Sequence, residues 1–236
     1  MLYALGTPLN FLALLVGFGC ALVVRGVAQA VLARAFGGRD LELRRRLSPD
    51  PRRHGDIFGL IAALLGGTGW GRPAPVEVLL GRYGYGRARG RPAVRAGAVL
   101  LAGPAAALLL GSAAVVGARA AGAPGLGVAR LAPSDVLHGD VFALDVGPRL
   151  LLLAGIAAIA VAILAVLPVP PLDGGRLMLA LAPTTPGWQR VRHYADQNWG
   201  VGLLLVLLVL PLGARPPLLL VVVDAIGEPI LRLLGH

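Results

Sequence analysis

From Ala96 to Val116 the chain runs without a charged residue, and from Leu150 to Leu167 it does so again. A helix needs about 20 apolar residues to cross the hydrocarbon core of a bilayer. A third run, Leu9 to Phe36, is long enough to cross with tilt. Two more, Gly200 to Leu212 and Leu218 to Leu234, are separated by a break at Arg215-Pro216-Pro217. A shorter run, Ile57 to Leu65, ends in Gly66-Gly67-Thr68-Gly69-Trp70-Gly71. It is too short to span, and irregular glycine-rich backbone is tolerated at membrane depth only where protein covers it, so a re-entrant segment is expected. The predicted fold is all-α: a polytopic membrane protein of about five transmembrane helices plus the re-entrant piece, one domain over residues 1–236. Composition agrees, since 56% of residues are apolar and only 14% charged, where a soluble domain carries roughly a quarter.

The formal charge of +10 comes entirely from arginine, because the sequence contains no lysine. With the Ala, Gly, Pro, Leu and Val richness, this suits a GC-rich bacterial genome. In a membrane chain a basic excess marks cytoplasmic loops rather than nucleic-acid binding. If the 57–71 segment re-enters, 17 arginines fall on one side and four on the other, with Arg25 inside the first span. That arithmetic predicts a bacterial plasma-membrane protein with its basic loops and C-terminus cytoplasmic. Its expected partners are the lipid bilayer and other membrane subunits, with no nucleic acid. Cys20, the single cysteine, lies within the first apolar run and reads as a small apolar residue.

The chemistry concentrates where the Leu150–Leu167 run closes, in Leu167-Pro168-Val169-Pro170-Pro171-Leu172-Asp173-Gly174-Gly175-Arg176. A carboxylate followed by two glycines is expensive at a membrane helix end. The stretch resembles the second zinc-binding motif of the site-2 proteases, intramembrane metalloproteases with an LDGG-type aspartate. In that family the first motif, a helical His-Glu-x-x-His, precedes a run of the type A-x-x-A-R-x-F-G. Ala30-Val31-Leu32-Ala33-Arg34-Ala35-Phe36-Gly37 resembles that run. Counting back, the histidine positions hold Arg25 and Gln29, and the glutamate position holds Gly26. Further likenesses are Arg53-His54-Gly55-Asp56-Ile57-Phe58-Gly59 to H-x-D-P-x-G and Gly69 to Val76 to G-W-x-K-P-V-P-V. Ala102 to Ala107 resembles A-G-P-x-A-N with Ala107 in place of asparagine, and Ala165 stands where asparagine would precede LDGG. Scaffold positions persist while polar active-site positions are lost.

A catalytic zinc needs three protein ligands and an open position. Arginine has no free lone pair, Gln29 is a weak neutral donor, Gly26 offers no base, and Asp173 alone cannot hold the ion. No catalytic residue and no cofactor is therefore expected, with zinc only under the protease alternative. Arg25 in a membrane helix is costly unless paired. A bidentate Arg25–Asp173 pair with Gln29 on the remaining lone pairs is the expectation, and snorkelling of Arg25 to the interface the alternative. Asp224 and Glu228, with Arg232 a turn beyond, read as a structural ion pair or, more sharply, as a relay. His54 and Asp56 read as an interfacial hydrogen-bonded pair. The resemblance so modified implies a non-catalytic accessory subunit, scaffold or binder of transmembrane helices. The alternatives are an active zinc protease and an ion or proton conduit.

Overall fold

The computed structural model describes residues 1, 4, 6–38, 41–73, 91–139, 141, 144–183, 185–196, 199–210 and 217–236. Residues 74–76 of the tryptophan-containing loop, residues 82–90 of the basic loop and the break at 215–216 lie outside them. Among the described residues every regular element is helical. In chain order these are α1 (Pro8–Ala35), α2 (Leu41–Arg46), α3 (Ile57–Gly66), α4 (Arg91–Ala120), α5 (Gly125–Val128) and α6 (Pro133–His138). Then follow α7 (Val146–Val166), α8 (Asp173–Leu181), α9 (Pro186–Asp196), α10 (Trp199–Val209) and α11 (Leu218–Gly235), with a 3-10 turn at Pro51–Arg53 before α3.

Among the described residues three helices are long and apolar enough to cross a membrane: α1, α4 from Ala93, and α7. They pack on one another, and α7 is the central one, with 72% of its most apolar window buried against 44% and 39% in the other two. Small residues allow the approach. A Cβ on Gly111 of α4 would lie 2.6 Å from the Gly155 carbonyl oxygen of α7, and one on Gly155 would lie 2.9 Å from that of Gly111. Helix α1 starts with proline in its first turn, where the missing N–H costs nothing. It ends on a Schellman motif: Gly37 at φ 96°, with Gly38 N–H donating to the Ala33 carbonyl and Gly37 N–H to that of Arg34. The A-R-x-F-G run is thus, in this chain, a helix stop.

The two remaining runs behave differently from the expected spans. Helix α10 has 11 residues, about 16 Å of rise, or half the hydrocarbon core. Helix α11 has 18 but carries Asp224, Glu228 and Arg232, which is why it fails as a simple apolar span. The 57–71 segment goes out and comes back, the shape expected of a re-entrant piece. Helix α3 rises for 10 residues to Gly67 in the left-handed region. The chain then returns, pairing Gly71 with Gly55 and Arg72 N–H with the His54 carbonyl at 2.8 Å.

The expected side of the C-terminal residues needs correction. Arg119, at the far end of α4, donates to the carbonyls of Leu234 and His236, whereas the near end of α4 packs against α8 through Gly97 and Leu177. Residues 234–236 therefore lie at the opposite end of α4 from Asp173. Satisfying the last carbonyls of α11 with an arginine outweighs the placement suggested by counting Arg232 among the basic loops.

Candidate functional site

Three helices converge where the first apolar run, the Ala102-Gly103-Pro104 segment and LDGG meet. Asp173 opens α8 and is 1% exposed. Its first-turn position places a carboxylate at the positive end of the helix dipole. The chain reaches it through a tight reversal with a cis peptide between Pro170 and Pro171. Side chains on Gly174 or Gly175 would run into the backbone of Val166 or of Val169 and Pro170. The double glycine is thus a packing requirement of the reversal that delivers Asp173.

Arg25, 3% exposed on α1, meets Asp173 as a two-pronged fork: Nε donates to Oδ2 at 2.7 Å and Nη2 to Oδ1 at 2.6 Å. Gln29, one turn on and fully buried, donates Nε2 to Oδ2 at 2.8 Å and lies 3.5 Å from the Leu100 carbonyl of α4. The third guanidinium nitrogen, Nη1, donates to the Arg72 carbonyl at 3.2 Å. The pair is neutral in sum, and its charge-assisted bonds offset part of the desolvation that each charge suffers. Gly103 makes room: a Cβ there would sit 2.5 Å from Gln29 Nε2 and 2.8 Å from Arg25 Cγ. Ala107 lies one turn farther along α4 and Ala165 near the end of α7, both buried and without polar reach.

Sequence reasoning misread His54. It does not pair with Asp56, which instead caps α3 by accepting the Gly59 N–H at 3.0 Å. His54 is 2% exposed and folded over Gly26, where its ring occupies the space that a side chain at 26 would need. Its Nε2 lies 2.9 Å from the Ser48 carbonyl. A carbonyl can only accept, so Nε2 carries the proton and Nδ1 is left as a buried lone pair without a partner. Burial lowers the His54 pKa below its ordinary value; the Arg46 and Arg25 charges act in the same direction, while the Ser48 bond and Asp50 oppose them. The signal in the sequence was Gly26: a glycine at mid-helix in a motif position implies something large packed on it. The other contributor missed by sequence reasoning, Arg72, acts through its backbone carbonyl and leaves no side-chain signature.

The carboxylates of α11 are not part of this site. Asp224 accepts the Ser134 N–H at 2.7 Å and the Ser134 Oγ–H at 2.6 Å, tying α11 to the start of α6. Glu228 and Arg232 form an exposed pair at 3.2 Å, one turn apart.

The chain is 30% identical over 191 residues to the Bacillus subtilis (strain 168) protein named "Putative zinc metalloprotease YwhC", covering 80% of this chain and 76% of that one. The chain belongs to this site-2-protease-like metalloprotease family. No family model and no solved structure matches it. The family's zinc does not fit the residues found here. Both Asp173 oxygens are engaged by Arg25, and a guanidinium lies against them where a second cation would have to sit. Among the described residues no three His, Cys, Asp or Glu side chains gather to hold a metal. Repulsion between Arg25 and an incoming divalent ion adds to the missing ligands.

Proposed function

We propose that this chain is a catalytically inactive member of its family, serving a membrane complex as accessory subunit, scaffold or binder of transmembrane helices. On this reading it resides in a bacterial plasma membrane with its basic loops cytoplasmic. One observation carries the proposal: the Arg25–Asp173 fork with Gln29 on the same carboxylate. It joins α1 to α8, the tie that a shared metal ligand set would otherwise supply. A chain that had merely lost its ligands would leave Asp173 buried and unpaired, a defect that selection for folding removes. Here the replacement is a cation with the matching fork geometry.

The test is zinc per chain in detergent-purified protein, beside Asp173→Ala and an Arg25→His/Gln29→His double variant. Near-zero zinc in the wild type, with about one ion per chain in the double variant, supports the proposal. Stoichiometric zinc in the wild type that Asp173→Ala abolishes overturns it and favours the second reading, an active intramembrane zinc protease. That reading draws on the name of the Bacillus relative. The conduit reading gains nothing, because Asp173, Asp224 and Glu228 each have a protein partner.

A further inference from the structure

Beside the Arg25 site, on the outer face of α1, lies a separate cavity of about 890 Å³ between α1, the 3-10 turn and α3. Its walls are apolar, with Leu15, Phe18 and Leu22 from α1 and Ile57 and Leu60 from α3. Gly19 leaves its middle open, since a Cβ there would meet nothing within 4 Å. From Leu15 to Leu22 the groove runs about 10 Å along the helix, some two-thirds of one leaflet's half of the hydrocarbon core. It is continuous with an apolar exterior, Val16 being 58% and Ile57 70% exposed.

Part of the groove's lining is charged. Arg52 and Arg72 line it together with Asp56. Arg72 spends Nε on the Gly55 carbonyl at 3.1 Å, and Asp56 is held as the cap of α3. Neighbouring Arg53 is engaged with Asp50 at 3.6 Å. Two guanidinium groups against one carboxylate leave a net positive charge in the lining of an otherwise apolar groove. We infer that this is a binding site for an acidic phospholipid, with its acyl chains along α1 and its phosphate between Arg52 and Arg72. The match is in both halves of the ligand: the apolar walls suit acyl chains, and the arginines complement an anionic headgroup. This site is independent of the proposed loss of catalysis.

Cys20 lines the same cavity, is exposed and is the single cysteine of the chain, so it reports occupancy without engineering. The full chain is reconstituted into nanodiscs of phosphatidylcholine alone or with increasing phosphatidylglycerol, and the rate of Cys20 alkylation by a small maleimide is followed. Phosphatidylglycerol is expected to slow labelling saturably. Arg52→Gln and Arg72→Gln should each shift the half-point to about fivefold higher phosphatidylglycerol, the effect of one arginine near an anionic surface. Equal labelling in both lipids would overturn the proposal, as would protection unchanged in the double variant. Protection seen in native membranes but restored by no lipid after extraction would place a protein segment in the groove instead, and would overturn it as well. Leu137→Ala, buried and not part of the groove's lining, controls for general destabilisation, because it should leave the lipid dependence unchanged.

Discussion

Two carboxylates tie helices together in this chain, and they are supported in opposite ways. Asp173 is 1% exposed and answered by a full positive charge, with Gln29 as a neutral third donor. Asp224 is answered only by neutral donors, the N–H and O–H of one serine. The sequence offers both as intramembrane carboxylates, yet only one lies at the centre of the three-helix core. The difference is in the donors. Neutral donors suffice for a half-buried carboxylate near a helix start, while a fully buried one requires a cation.

The largest effect should come from breaking the fork. Arg25→Ala leaves Asp173 buried without its cation and with Gln29 alone, a loss of about 3–5 kcal/mol in reversible unfolding in detergent. Arg25→Leu combined with Asp173→Leu removes both charges, and its cost should be far smaller than the sum of the single changes. Additive losses in that cycle would show that Arg25 and Asp173 do not act as a pair. Next comes Asp224→Ala, which removes the acceptor of two charge-assisted bonds and should cost about 2 kcal/mol. Ser134→Ala, which retains the backbone donor, should cost about half of that. If Asp224→Ala equalled Arg25→Ala in effect, the contrast between the two ties would fail.

Much of the centre was legible before any coordinates. The apolar runs, the re-entrant glycine segment and the converging positions 25, 29 and 173 follow from hydropathy, from charge cost and from a resemblance preserved in its glycines and prolines. Two things were not legible. The partner of Asp224 lies 90 residues away in a linker that holds a single serine among several charged residues, and no local period announces such a contact. The fate of His54 depended on a three-dimensional fact, that removing the side chain at 26 opens a hole the size of an imidazole. Hydropathy likewise registers apolar content in α10 and α11 without fixing helix length, which is 11 residues in α10, or marking the three charges that α11 carries.

A smaller effect tests that hole. Gly26→Ala places a methyl against the His54 ring and should destabilise by about 1–3 kcal/mol through overpacking. Combining it with His54→Ala should recover part of the loss. The same histidine makes stability depend on pH. Its pKa is lowered by folding, so below about 6.5 the unfolded chain takes up a proton that the folded chain refuses. The His54 contribution is therefore complete above about pH 6.5 and is lost as pH falls through that value toward the folded pKa. His54→Gln should flatten the unfolding midpoint between pH 7 and 5 relative to wild type.

The smallest effect is expected from the charge pair that looks most conspicuous in sequence. Glu228 and Arg232 stand one turn apart with the acid toward the helix start, the favourable order. Yet both side chains are substantially exposed, at 39% and 64%, where water competes for each charge and two flexible side chains must be ordered to meet. Such pairs contribute about 0.2–0.5 kcal/mol. Glu228→Gln should therefore leave the unfolding midpoint almost unchanged, and raising the salt should erase what difference there is. The contrast with Asp173 is then quantitative: the same two charge types, in the same chain, differ about tenfold in consequence because one pair has lost its water and the other has kept it. A loss for Glu228→Gln comparable to that for Arg25→Ala would mean that α11 is covered by something in the membrane, and its exposed face would become the next surface to map.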